Sequence, residues 1–482
     1  MTQKLDTFDG TILHPSLDIR ENLLLLGFSY RSQENKSENV FLIASKNGLF
    51  LHHEEMLELN GKHYIIDATK KKPARLDDRW DPSEINDLLE KFNDPIKYIA
   101  PNPKDVFESI ESLIRRFVAL QDENDYALLS AWIIATYFSP IFTAFPFLHI
   151  KAPKRSGKSQ CLNLLLLLCF NAVKARPTMA AMCDTVDALR GTYLIDQADS
   201  LAKNDKDELL ELLTDSYKKT GGKRRVVSID KKRGGREVIE IDAYGPKAFA
   251  SVKEVHEDLR DRCIIIPLIR SRENFLDPYD SYDECKKLRN EIYRLLIGSF
   301  DLTFNTYSIQ KIALKNNIHT TLADTIEVAG RELELWLPIQ IIMGLCKVES
   351  DKILAVKKRF LSQYGFSEYE PNEFEQSIIE CIITELGKKE SIILSPKEIA
   401  SKLDYTEQEY EQKPSQQTVR VGRTIKKFNL ASEKKRSNKG NSYVFEKKKV
   451  LEIHKSYFLR QENSTPPTPD PIFVDNPKTV GV

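Results

Sequence analysis

Residues 147–170 read FLHIKAPKRSGKSQCLNLLLLLCF, and the folding of this stretch decides the class of the whole chain. The run "FPFLHIK" that opens it is strand-like, and "SQCLNLLLLLCF" continues as a helix. Between them, Ala152, Pro153, Lys154, Arg155, Ser156, Gly157, Lys158 and Ser159 match G-x-x-x-x-G-K-[ST] everywhere except the first position. The demands on these positions differ. Gly157 lets the backbone close so that a nest of N–H groups at a helix N-terminus meets phosphate charge. Lys158 reaches the outer phosphates, and the Ser159 hydroxyl suits a magnesium ion. The first position only eases the turn out of the strand, so alanine serves there if its φ stays negative.

Working outward, "GTYLIDQADS" follows some forty residues later and ends a short apolar run in Asp196. The carboxyl end of a strand is where an α/β sheet presents ligands. Asp196 is therefore the candidate metal carboxylate beside Ser159. The next position commonly carries a glutamate that polarises water; here it is Gln197, which orients a water by hydrogen bonding but takes up no proton. Asp199 is a partial substitute.

Between the acidic strand and the next strand, "KAFAS", lies a basic segment. Residues 218–236 hold nine Lys or Arg against one acid, Asp230. Its halves "KRRVVSID" and "KKRGGREVIEI" predict a hairpin with Lys231, Lys232 and Arg233 near the tip and Lys223, Arg224 and Arg225 along one strand. Such a hairpin offers phosphate contacts without base readout.

These stretches, with "YGPKAFASV", "LRDRCIIIPL" and "GRELELWLPI", resemble AAA+ ATPases, and among them MCM-like helicases and related ATPases of phages, plasmids and mobile cassettes. The likeness spans roughly residues 105–345, with a further match near the C-terminus. It implies ATP and Mg2+ as cofactors, DNA as partner and a homo-oligomer, commonly a hexamer. By the same resemblance, Ser251 takes the sensor-1 place and Arg262 the arginine finger, with Arg260 as fallback. Arg331 takes sensor 2, reading the γ-phosphate from a helical lid. Lys158, Asp196, Gln197, Ser251, Arg262 and Arg331 are thus the candidate catalytic residues. Lys154, Arg155, Ser156, Gly157, Lys158, Ser159 and Gln160 are the candidate nucleotide contacts.

The C-terminal part reads as a separate unit. "FEQSIIECIITELGKK" is an amphipathic helix, "IIL" a short strand, and "SPKEIASKL" a helix with Ser at the N-cap and Pro at N1. In "SQQTVRVGRTIKKFNL", Val419 and Ile425 are expected inward, and Gln416, Arg420, Arg423 and Lys427 outward. A basic turn with Lys434, Lys435, Arg436 and Lys439 closes the layout of a winged helix, a DNA-reading or protein-docking module.

The expected fold is α/β: a P-loop AAA+ core with helical lid, a small N-terminal mixed or β domain and a C-terminal winged helix. The expected boundaries are 1–103 (accessory domain), 104–280 (core with basic hairpin), 281–370 (helical lid), 371–460 (winged helix) and 461–482 (disordered tail). At 482 residues, two or three domains are the prior. The zero formal net charge confines any nucleic-acid contact to local patches. Seven scattered cysteines without a CxxC pair argue against a zinc site or a disulfide framework. No secretory signal or membrane span is evident, and a cytoplasmic protein is expected. Residues 1–100 carry neither a zinc ligand set nor an acidic catalytic cluster, which argues against a primase. The function expected is an ATP-dependent DNA helicase or translocase in replication of a mobile element. A hydrolysis-impaired ATP-binding DNA tether and a protein-remodelling loader or regulator stay open beside it.

Overall fold

The structure is a computed structural model. It describes residues 10–31, 34, 36–67, 73–92, 94, 100–153, 155–175, 178–198, 207–229, 236–269, 277–315, 330–363, 373–403, 414–427, 430–437 and 440–457. The chain divides into two compact units, Met1–Tyr364 and Gly365–Val482. The tail at 461–482, expected to be disordered, lies outside the described residues.

The first unit opens with seven strands: β1 (Thr11–Leu13), β2 (Leu17–Arg20), β3 (Leu23–Arg31), β4 (Ser37–Ser45), β5 (Gly48–His52), β6 (Met56–Leu59) and β7 (Lys62–Ile66). They form a four-stranded sheet, β2-β3-β4-β5, and a three-stranded one, β1-β7-β6. Strand β3 explains the unbroken run LLLLGF. Its Leu23 and Leu25 pack with Leu13, Leu57 and Ile66 of the small sheet. Leu24, Leu26 and Phe28 face the opposite way, into the large core. A strand buried on both faces has no polar side to show, so the alternation disappears.

This β-rich part shares its core with the rest of the unit. Trp80, fully buried, stacks on Tyr293 with centroids 4.6 Å apart and planes 7° apart. Arg294 reaches Glu84 at 2.5 Å, and the His14 ring bonds the Asp187 carbonyl at 2.6 Å. The segment expected as an accessory domain is therefore continuous with the core that follows.

That core is a five-stranded sheet in the order β14-β8-β13-β10-β9. Its members are β8 (Phe147–Lys151), β9 (Val173–Lys174), β10 (Tyr193–Ile195), β13 (Lys247–Ser251) and β14 (Cys263–Pro267), every pair parallel. A hairpin of β11 (Lys223–Ile229) and β12 (Arg236–Asp242) stands between β10 and β13 in sequence. The helix Lys158–Leu168 packs between the sheet and the long helix Tyr282–Lys315, where Arg289 donates to the Leu167 carbonyl at 3.0 Å. Covered on opposite sides, it reads LNLLLLL without an amphipathic stripe. Helices Gly330–Leu345 and Ser350–Ser362 follow in the same unit.

In the second unit, β15 (Ser391–Leu394), β16 (Glu433–Ser437) and β17 (Gly440–Glu446) form an antiparallel sheet in the order β15-β17-β16. Ser395 caps the helix Pro396–Ala400 through a reciprocal bond with Glu398, with Pro at N1 as expected. The register of the helix Pro414–Lys427 differs from expectation. Val421 and Ile425 are buried, whereas Val419 is 52% exposed. Val419 and Val421 stand two positions apart, on different helix faces, and only packing against Ile378, Ile382 and Ile399 selects between them. A further helix, Lys447–Tyr457, buries Val450 in this core.

Candidate active site

In a parallel sheet all carboxyl ends point one way, so the ends of β8, β9, β10, β13 and β14 form one rim, the place where such sheets receive ligands. The glycine-lysine-serine loop leaves β8 on this rim. Gly157 lies at φ 83°, left-handed, as the residue before the helix Lys158–Leu168. A side chain there would meet this backbone preference and also the Gln160 amide oxygen at 3.3 Å. Arg155 also takes a left-handed φ of 64°. Ala152 does not: it is buried, and its N–H bonds the Ser251 carbonyl at 3.1 Å, so the missing glycine is not required. Lys158 folds over the loop and donates to the Ala152 and Pro153 carbonyls, both at 3.0 Å. Ser156 bonds the Pro153 carbonyl at 2.6 Å, while Ser159 is exposed. Lys154 lies outside the described residues.

Asp196 follows β10 on the same rim, half-buried, and accepts from the Gln197 N–H at 2.9 Å. Its carboxylate stands 3.7 Å from the ammonium of Lys174, at the end of β9. No motif marks Lys174; only the pairing of β9 with β10 brings it there. Gln197 is exposed at φ 57°. A non-glycine residue held left-handed costs about 1–2 kcal/mol, and such strain gathers at functional positions. Asp199 lies outside the described residues. A hydroxyl and a carboxylate are hard oxygen donors, and Mg2+ takes such ligands while keeping several waters. Ser159 and Asp196 therefore fit that ion.

Ser251 ends β13 beside Lys151, next to the loop. It is fully buried, and its hydroxyl is engaged with the His149 ring at 2.7 Å and the Lys253 carbonyl at 2.5 Å. The sensor-1 candidate thus sits at the expected strand end with its hydroxyl turned to His149, a buried residue of β8 that no sequence signal singled out.

The arginines lie elsewhere. Arg262 precedes β14, whose first residue Cys263 pairs with Phe147, the start of β8. The length of β8, about 13 Å at 3.3 Å per residue, separates it from the loop. Arg262 and Arg331 carry their guanidinium carbons 5.4 and 5.8 Å from the centroid of the Tyr217 ring, and Lys218 places its ammonium at 5.3 Å. Arg331 also pairs with Asp261, and Lys218 with Glu334 at 2.8 Å. Burial and the adjacent Arg331 charge hold the Arg262 pKa below its usual value. Arg331, expected to read a phosphate from the helices, shares the Arg262 end of the sheet rather than the loop end. Arg260 points instead toward Glu254, at 3.9 Å.

The expected DNA contacts divide further. On the hairpin, Lys223 and Arg225 both pair with Glu240, at 2.6 and 3.6 Å. Arg224 turns inward to the Cys183 thiol. Lys231, Lys232 and Arg233 lie outside the described residues. In the second unit Arg423 is exposed, whereas Arg420, expected outward, lies 4.0 Å over the Phe374 ring. Lys435 is half-exposed, 3.9 Å from Glu433. The side chains of Gln416, Lys427, Lys434 and Arg436, and residue Lys439, lie outside the described set. Among the described residues no helix is long and apolar enough to cross a membrane.

No protein-family model matches the chain, and no curated protein matches it. Solved structures similar to it include one described as SCCmec type IV Cch, an active helicase (TM-score 0.36, 10% identity, 91% of this chain and 98% of that one). A full-length MCM homolog from Methanopyrus kandleri gives TM-score 0.35 and 12% identity over 72% of this chain and 75% of that one. The C-terminal region of NrS-1 gives TM-score 0.35 and 10% identity over 87% and 96%. These scores lie below 0.5, so the functional reading rests on the chain's own geometry.

Proposed function

We propose that this chain is an ATP-dependent DNA helicase or translocase, an AAA+ ATPase that works as a closed homo-oligomer, commonly a hexamer. The observation that carries the reading is the rim itself. A glycine-lysine-serine loop, closed by a left-handed glycine onto a helix N-terminus, shares the carboxyl end of a parallel sheet with Asp196. Phosphate entering the loop gives Lys158 a charged acceptor in exchange for two carbonyls, and charged partners make the stronger hydrogen bonds. Magnesium, when bound, neutralises charge between the outer phosphates. Ser159 and Asp196 would hold that ion, and Gln197, exposed on the same rim, would orient the attacking water. Arg262 and Arg331 stand at the other end of the sheet, so they serve the site of a neighbouring copy, where they stabilise the charge that develops on the transferred phosphoryl group. Replication of a mobile element, the winged-helix role of the second unit and its DNA contacts follow from the motif resemblance.

A second reading, an ATP-binding DNA tether with impaired hydrolysis, is favoured by Gln197 and by the Lys174–Asp196 pair. ATPase assays with and without single-stranded DNA decide between them. The motor reading expects DNA-stimulated turnover in the wild type, loss of nucleotide binding in Lys158→Ala, and faster turnover in Gln197→Glu. A wild type without stimulated turnover, beside a Gln197→Glu variant that gains it, establishes the tether.

A further inference from the structure

Three cations converge on one aromatic ring at the Arg262 end of the sheet, and nothing in the reading above uses that ring. Tyr217 is 5% exposed and follows the helix Asp207–Asp215. Its carbonyl accepts the Phe145 N–H at 2.8 Å, and Lys219 N–H bonds the Thr143 carbonyl at 3.0 Å. Two main-chain bonds therefore fix it to the segment that enters β8. Just beyond, a side chain on Gly221 would come within 2.5 Å of the Asp215 carbonyl, so the turn stays tight against the helix. The main chain that carries the ring is thus held against the sheet, and the ring itself is buried.

Against this buried ring lie two arginines from different parts of the chain. Arg262 comes from the strand entrance and Arg331 from the first turn of the helix Gly330–Leu345. Two guanidinium groups repel each other unless something between them offsets the charge. The ring's π face attracts both at these distances, and Asp261 pairs with Arg331. Arg331 remains 38% exposed at its side chain, so the pair is held without being closed off.

We propose that Tyr217 is a positioning residue that holds Arg262 and Arg331 as one unit, aimed at the nucleotide of the adjoining copy. The proposal rests on the in-trans reading of the arginines. A donor that must meet a developing charge works through its preset position, and displacement by about 1 Å can cost about a hundredfold in rate. The tyrosine touches no substrate in this arrangement; it acts through the arginines.

Subunit mixing tests it, with full-length variants and ATP turnover as readout. Tyr217→Leu removes the ring and lowers turnover by about a hundredfold, with little change in KM for ATP, because each copy's own loop is intact. Tyr217→Phe keeps the π face and restores most of that rate. Mixed with Lys158→Ala, which has a dead loop but intact arginines, Tyr217→Leu regains activity at the roughly one quarter of interfaces that join a sound loop to a sound arginine pair. Mixed with Arg262→Ala it regains none, since both variants fail on the same side of the interface. Wild-type turnover in Tyr217→Leu, rescue by Arg262→Ala, or rescue by neither overturns the proposal. Failure of Arg262→Ala and Lys158→Ala to rescue each other instead overturns the in-trans reading, and the tyrosine's role falls with it.

Discussion

Lys247 is a fully buried lysine whose ammonium donates to the Ala243 and Gly245 carbonyls at 2.7 and 3.1 Å and lies 5.0 Å from the Phe147 ring. Burial pulls its pKa down to about 7, against about 10.4 for a free lysine. Between those values the unfolded chain binds a proton that the folded protein does not. Its contribution to stability therefore grows as pH rises from about 7 to about 10, by at most about 1.4 kcal/mol per pH unit, and is lost over the same window as pH falls back to about 7. Lys247→Met removes this slope. Denaturant unfolding of both proteins at neutral and at alkaline pH measures it, and equal slopes refute it. Gln197 shows the opposite use of a residue. It is exposed and held at a left-handed φ of 57°, so it adds little to packing while its backbone is strained.

At the scale of elements, the hairpin of β11 and β12 is less basic in space than in sequence, because Glu240 pairs with both Lys223 and Arg225 and offsets one of their two charges. Glu240→Gln frees these two cations at the cost of a cross-strand pair worth about 0.2–1 kcal/mol. Affinity for single-stranded DNA should rise, and its salt dependence should steepen by about 0.7 for each phosphate newly contacted. A salt titration by fluorescence anisotropy reads both, and an unchanged slope leaves these side chains with only a structural role. The helix Pro414–Lys427 gives a complementary test of register. Val421→Ala, in the core, costs about 2 kcal/mol, whereas Val419→Ala leaves the melting of the unit unchanged. Reversed outcomes restore the register expected from the sequence.

Across the whole molecule, the described part of residues 10–92 and the parallel sheet stand or fall together. Trp80 and Phe28 belong to the same buried cluster as Tyr137, Phe170 and Tyr293. Trp80→Ala should cost about 3–5 kcal/mol and lower the melting of the entire first unit, not release a small domain with its own transition. The second unit has its own core, with Ile378, Ile382, Val421 and Phe445 fully buried. Calorimetry should resolve it as a separate transition that Trp80→Ala leaves in place. A common shift of both transitions refutes that independence.

The phosphate loop, its flanking strand and helix, and the Ser395 cap were legible in the amino acids alone. Each is a demand that a few neighbouring residues place on their own backbone: a left-handed glycine, a side-chain cap, an apolar run. Lys174 beside Asp196, the Ser251–His149 contact and the Tyr217 arginine cluster were not legible, since each joins segments that meet only when strands order themselves in the sheet. The same holds for the two valines of the helix Pro414–Lys427, and for the run LLLLGF that serves two cores at once. Local sequence determined the shape of the loop between β8 and its helix. Tertiary packing decided which charges stand beside that loop, and it placed the arginines a full strand length from it, because a parallel sheet separates the start of every strand from its end.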